Sequence, residues 1–190
     1  MNDLYILPNG VLRNRLGYSE QDLLQVAESD ITRVQLLRLA SRPLAGGYDL
    51  PHLCAFHAAI FGLLYDWAGQ LRTVEIAKGS SVFCRMAQLD SYAGSVFGRL
   101  AAEDYLRGGT KDQLVDGLAD LYGDLNALHP FREGNGRTQR AFLVQLARDA
   151  GYLLDWSGLD AAQNEEASIK SLMGDNGLLR EMISGRVHPL

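Results

Sequence analysis

The chain has 190 residues, 47% of them hydrophobic and 22% charged, with a formal net charge of -5. That length supports one compact domain with a substantial core, and the composition is that of a globular chain and not a disordered one. An acidic chain lacks the positive field that duplex nucleic acid requires, so no direct nucleic-acid partner is expected and any anionic ligand must be met by a local cluster of donors.

The start, Met1-Asn2-Asp3-Leu4-Tyr5, has neither the basic cluster nor the apolar run of a signal peptide. No stretch nears the ~18 consecutive apolar residues that span a bilayer. The expectation is a cytoplasmic, soluble protein with no membrane partner. Cys54 and Cys84 stand far apart and form no metal-binding pattern, so they read as small apolar side chains.

Pro8, Asn9-Gly10 and Gly17 mark residues 1–18 as an irregular N-terminal arm. Ser19 is the expected N-cap of a first helix, whose apolar positions are Leu23, Leu24, Ala27, Ile31, Val34 and Leu37. A second helix is expected from about Asp49 to Leu64. His57, on its apolar face, reads as a packed core histidine. Leu71 to Ile76 then alternates and is rich in β-branched residues, Lys78-Gly79-Ser80-Ser81 supplies a turn, and Val82-Phe83-Cys84 returns. A β-hairpin over residues 71–84 follows, which must lie against the helices to be stable.

The pattern is helical again from Leu89 to Leu106. Thr110-Lys111-Asp112-Gln113 is a capping-box sequence opening a helix with an apolar stripe at Leu114, Leu118, Leu121, Leu125 and Leu128. His129-Pro130 stops that helix. A further helix through Ala141, Phe142, Leu143, Leu146 and Ala147 ends near Gly151, and shorter ones cover about Leu159–Leu172 and Leu178–Ile183. The sum is a mainly α fold with one hairpin.

Between the striped helix and the next one stands His129-Pro130-Phe131-Arg132-Glu133-Gly134-Asn135-Gly136-Arg137-Thr138-Gln139-Arg140. Glycines flanking an Asn permit positive φ and close approach of a ligand to backbone N–H groups. Those amides open a helix, where unpaired donors and the dipole favour an anion. Arg137 and Arg140, three apart, project on one side of the first turn. The loop suits a polyphosphate. Glu133 would repel one unless magnesium stands between them, since that ion binds through one or two carboxylates plus phosphate oxygens. A neutral imidazole at His129, with an ordinary pKa near ~6.5, can accept a proton. Together these groups fit attack on phosphorus by a hydroxyl.

In order and spacing the same stretch resembles the signature of the Fic family, His-x-Phe-x-(Asp/Glu)-Gly-Asn-Gly-Arg-x-x-Arg, with every defined position filled. Residues Tyr5 to Asn14 resemble the family's N-terminal arm, Asp66 to Arg72 the stretch before its flap hairpin, and Gly151-Tyr152 its post-motif turn. The resemblance implies a single Fic domain over 1–190, a Fic-type helical bundle with one hairpin flap, and transfer of AMP from ATP to a hydroxyl side chain of a target protein. It casts His129 as the base, Glu133 as the magnesium ligand, and Gly134, Asn135 and Gly136 as the anion hole. Arg137 and Arg140 hold the β- and γ-phosphates, Phe131 anchors the loop inward, and Lys78 and Gly79 dock the target near the flap tip. Gly136 stands where the phosphorylating Doc branch has lysine, which favours AMP transfer over phosphorylation.

Many members are held inactive by a helix carrying (Ser/Thr)-x-x-x-Glu-(Gly/Asn). Glu133 alone in this chain is followed by Gly or Asn, and Ser171 to Asn176 is a near miss with Asp for Glu. The resemblance therefore implies a separate small antitoxin that brings the inhibitory Glu to Arg140, as in the bacterial toxin members, whose targets include the ATPase subunits of DNA gyrase and topoisomerase IV. Two other readings remain open: transfer of another nucleotide or removal of AMP by the same site, and a non-catalytic interaction module. The base pocket is sought near Tyr152 and Leu172 to Leu178.

Overall fold

A computed structural model describes residues 3–78 and 81–190. Its helices are α1 (Gln21–Ser41), α2 (Leu50–Phe61), α3 (Leu89–Ala102), α4 (Lys111–Leu128), α5 (Asn135–Asp149), α6 (Ala161–Leu172) and α7 (Gly177–Ser184). Strands β1 (Ala77–Lys78) and β2 (Ser81–Val82) form a short antiparallel pair with Ala77 opposite Val82. A second antiparallel pair joins β3 (Tyr152–Leu154) to β4 (Val187–Pro189), with Leu154 opposite Val187. The mainly α expectation holds, and this second pair adds to the expected single hairpin.

Helices α4 and α5 form the centre. The stripe from Leu114 to Leu128 is buried throughout, and so are Phe142, Leu143 and Leu146 of α5. Each such side chain, taken out of water, contributes about 1.5–3 kcal/mol. The capping box at Thr110 is present, with Thr110 Oγ1 accepting from the Gln113 amide and Gln113 Oε1 accepting from the Thr110 amide at 2.9 Å. Asp49 caps α2 by accepting from the His52 amide at 2.8 Å.

Several expectations are corrected. Glu20, not Ser19, is the N-cap of α1, with no side-chain cap bond. Among the apolar residues expected to face the core from α1, Leu24 is buried, whereas Leu23, Val34 and Leu37 are exposed. Apolar residues lie on both sides of this helix, so spacing alone does not pick its buried face. Helix α2 ends at Phe61. Helix α3 ends at Ala102, and a 3-10 turn follows in which Asp104, Tyr105 and Leu106 all have positive φ.

The alternating segment Leu71–Ile76 is not a strand. Its polar groups are satisfied elsewhere: the Arg72 amide donates to the Pro130 carbonyl at 2.8 Å, and the Arg72 side chain is buried. Gly79, expected at the flap tip, lies outside the described residues.

Candidate active site

Helix α4 ends because His129 takes the left-handed conformation, φ 43° and ψ 59°, and Pro130 has no amide to continue the ladder. This turn brings His129 to the mouth of a cavity of about 440 Å³, which Glu133, Gly134, Asn135 and Gly136 also line. The far wall is α6, through Asn164, Ser168 and Leu172. Among the described residues three hollows are larger, so volume does not locate the chemistry. One of about 720 Å³ lies between α3 and α4, and its Asp116, Asp120 and Asp124 are engaged by Arg180, Asn176 and Arg99.

Among the contacts that orient His129 are three with described residues. Its Nδ1 lies 3.2 Å from the Asn126 carbonyl. A carbonyl only accepts, so Nδ1 carries the hydrogen and Nε2 is the proton-accepting nitrogen of the neutral ring. The Phe83 ring stacks on the imidazole, centroids 3.8 Å apart and planes 20° apart. The His129 carbonyl accepts from Arg72 Nε at 2.9 Å.

The loop after His129 is braced from inside. Phe131 is buried, as expected of an inward anchor, and stacks on His57 with centroids 4.0 Å apart. The Asn135 side chain pairs with both polar groups of the Phe131 backbone, at 2.9 and 2.8 Å. That amide therefore closes the loop, and only the backbone N–H of Asn135 remains for an anion. Gly134 has φ +80°, and a Cβ there would stand 2.3 Å from the Phe61 ring. Gly136, by contrast, lies in α5, and the positive φ expected at both glycines occurs only at Gly134. In the first turn of α5, the N–H groups of Asn135, Gly136 and Arg137 have no acceptor one turn earlier in the helix.

His57 is fully buried, and that burial pushes its imidazolium down to about 4. The neutral ring accepts the Gly69 amide on Nδ1 at 2.8 Å and donates from Nε2 to the Glu133 carbonyl at 3.0 Å. It is a brace beneath the loop and not a ligand. His52 is likewise a core histidine, bonded to the Tyr48 amide and the Leu44 carbonyl.

The three arginines have different surroundings. Arg132 pairs with Asp3 at 2.9 Å and ties the N-terminal arm to the loop. Arg137 meets Glu28 of α1 at 2.5 Å, bonds to Thr32 Oγ1, and lies over the Phe61 ring. Arg140 has no carboxylate within ion-pair distance among the described residues, and its Nη1 reaches within 3.2 Å of where a Gly136 Cβ would stand. Arg137 and Arg140 share one side of α5, as expected, but face a separate groove of about 830 Å³ between α1 and α5.

Glu133 is half exposed at the rim, accepts from its neighbouring Gly134 amide at 2.9 Å, and lies 3.8 Å from Arg137. The described residues contain no cluster of three or more His, Cys, Asp or Glu side chains that could hold a metal. Glu133 shares the cavity lining with Glu165, and a carboxylate beside a row of amides fits an ion carried largely by phosphate oxygens.

A model of the Fic/DOC family matches residues 47–147. The chain belongs to the Fic/DOC family. It is 40% identical over 96% of its length to protein adenylyltransferase VbhT of Bartonella schoenbuchensis, of which it spans 38%. It is 39% identical over 94% of its length to the probable protein adenylyltransferase Fic of Salmonella typhimurium, spanning 88% of that protein. The Fic fold recurs in the BepC protein of Bartonella tribocorum, solved with bound AMPPNP, at TM-score 0.90 and 21% identity over 98% of this chain and 97% of that one.

Sequence reasoning missed Glu28, Phe83, Arg72 and the Asn126 carbonyl. Only Arg72 left a signal, as an arginine inside an apolar alternating run. Tyr152, sought near the base pocket, instead donates to the Gly109 carbonyl, whereas Leu172 does line the cavity. The near-miss inhibitory segment Ser171–Asn176 spans the last two residues of α6 and the turn to α7, with Ser171 bonded to Asn176.

Proposed function

We propose that this chain, as a single Fic domain over residues 1–190, transfers AMP from ATP to a hydroxyl side chain of a target protein and releases pyrophosphate. The observation that carries the reading is that His129, with Nδ1 against the Asn126 carbonyl, lines the same cavity as Gly134, Asn135 and Gly136, which leaves Nε2 as the nitrogen to accept a proton.

The target hydroxyl gives its proton to Nε2 as its oxygen bonds to the α-phosphorus. The bond from that phosphorus to the bridging oxygen breaks, and pyrophosphate leaves with the electron pair. The amides of Asn135 and Gly136 would meet the charge that develops on the phosphates, joined by that of Gly134 once the Glu133 carboxylate releases it, with Arg137 and Arg140, which line the neighbouring groove, as clamps. Of the two, Arg140 is the less encumbered, because Arg137 must share its guanidinium with Glu28. Magnesium held by Glu133 would supply charge neutralisation at the phosphates. The hairpin would dock the target as an added strand, with Lys78 and Gly79 as the proposed docking residues.

The resemblance to toxin members extends to a partner. The groove beside Arg140 is walled by Leu36, Leu37, Val144 and Trp156, which supports docking of an amphipathic antitoxin helix that brings its Glu to Arg140. The ATPase subunits of DNA gyrase and topoisomerase IV are the first targets to assay, in a cytoplasmic setting. No helix among the described residues is long and apolar enough to cross a membrane. Growth arrest on expression of the chain alone, absent with His129→Ala, is the expected toxin phenotype. Normal growth despite active transfer would remove that part of the reading.

The chemistry is tested by incubating the chain, magnesium and a bacterial lysate with α-labelled or γ-labelled ATP. Label from the α position alone, lost in His129→Ala while ATP still binds, is expected. Label from the γ position would make the chain a kinase, and none from either would favour another nucleotide or a binding module.

A further inference from the structure

Among the described residues, Arg72 has the largest fully buried side chain, and a buried guanidinium is costly unless its N–H groups are satisfied. Here three backbone carbonyls from three segments do so. Nε donates to the His129 carbonyl at 2.9 Å, Nη1 to the Val74 carbonyl at 2.8 Å, and Nη2 to the Cys84 carbonyl. Val74 and Cys84 are the two legs that lead into and out of the β1–β2 hairpin. Glu75, largely exposed, balances the charge at 3.4 Å from Nη1 and also accepts from the Met86 amide at 3.1 Å.

Backbone bonds reinforce the same tie. The Arg72 amide donates to the Pro130 carbonyl and the Cys84 amide to the Ala127 carbonyl, both at 2.8 Å. One residue beyond Cys84's partner carbonyl comes the end of α4, and one residue before Cys84 comes Phe83, which stacks on His129. His129 itself sits in the left-handed region, which a side chain other than glycine's adopts only when its surroundings hold it there. Its carbonyl bond to Arg72 is one of those holds. A planar fork with five donors can reach acceptors in several directions at once, whereas an ammonium on a flexible stem is a single point.

The geometry points to Arg72 as a positioning residue for the transfer reaction: its guanidinium ties both legs of the hairpin to the peptide of His129, fixing the docking strand relative to the base. This rests on the AMP-transfer reading for its consequence, though the tie itself can be measured without any chemistry. A target strand added to the hairpin would then present its hydroxyl at a set distance from Nε2. A misplacement of about 1 Å at a reacting centre can cost ~100-fold in rate.

Hydrogen exchange on the wild-type chain reads the tie directly. The amides of Arg72, Cys84 and His129 are expected to open as one unit, with a common opening free energy. Distinct opening energies for the hairpin legs and His129 would overturn the proposal. In Arg72→Lys the Arg72-site and Cys84 amides should lose protection together with His129, while the core of α5 stays protected.

With α-labelled ATP, that variant should show a turnover lower by ~100-fold and a raised KM for the protein target, with KM for ATP unchanged. A purely structural defect would instead weaken ATP binding and thermal stability together, and turnover equal to wild type would equally sink the idea. Should wild type label no protein at all, the AMP-transfer reading fails, and the exchange measurement still decides the tie.

Discussion

At the scale of single residues, the candidate active-site loop depends on what its side chains exclude as much as on what they donate. Gly134 combines a positive φ with a Cβ position only 2.3 Å from the Phe61 ring. Gly134→Ala should lose roughly 2–4 kcal/mol, from overpacking and the left-handed backbone together, as read by urea denaturation. Stability equal to wild type would mean that Phe61 yields. Glu28 is a second case. It holds Arg137 and also accepts from the Tyr65 hydroxyl, whose pKa burial and then Glu28 raise well above the usual phenol value. Glu28→Gln removes the charge from this mostly buried pair and should cost about 2 kcal/mol. The same denaturation measurement checks it, and a neutral result would show that Arg137 finds another acceptor.

At the scale of elements, α4 is the arm that carries His129, and its two ends are built differently. The N-terminal capping box is local and exposed. Thr110→Ala should therefore cost only about 1 kcal/mol in thermal denaturation and leave ATP binding untouched. The C-terminal end has no such independence, because the left-handed turn at His129 is held by Arg72, Phe83 and Asn126.

The capping box and the leucine stripe were legible because both follow from a repeat within one helix. The segment Leu71–Ile76 was misread for the complementary reason. Alternation describes side chains, but a strand also needs a neighbour for its backbone groups. Here the Arg72 amide goes to Pro130, and the remaining pairing starts only at Ala77.

At the scale of the whole molecule, two contacts join distant parts of the chain. Val187 of β4 is fully buried against the core although it lies near the C-terminus. Val187→Ala should cost about 2 kcal/mol from lost burial and the cavity left behind. A neutral substitution in urea denaturation would mean the strand frays. His57 joins α2 to the active-site loop and to the turn at Gly69.

Its folded-state pKa is lowered from 6.5 to about 4, so the unfolded chain binds the proton more readily across that window. Stability from this group is thus complete above pH ~6.5 and falls as pH drops toward ~4, by on the order of 3 kcal/mol. Urea midpoints measured from pH 4 to 7 should slope accordingly and flatten in His57→Gln. An equal slope in that variant would assign the acid sensitivity to other groups.

The sequence alone determined the helices to within a few residues, the capping box of α4, and the loop proposed to carry the chemistry, because each is written in residues close together along the chain. Tertiary structure decided which face of α1 is buried, that Arg137 is shared with Glu28, and that Tyr152–Leu154 pairs with Val187–Pro189. It also decided that Arg72 is interior. These last features join segments far apart in the chain. Their closure entropy is offset only by contacts formed after the helices have packed, and no local window of residues contains those contacts.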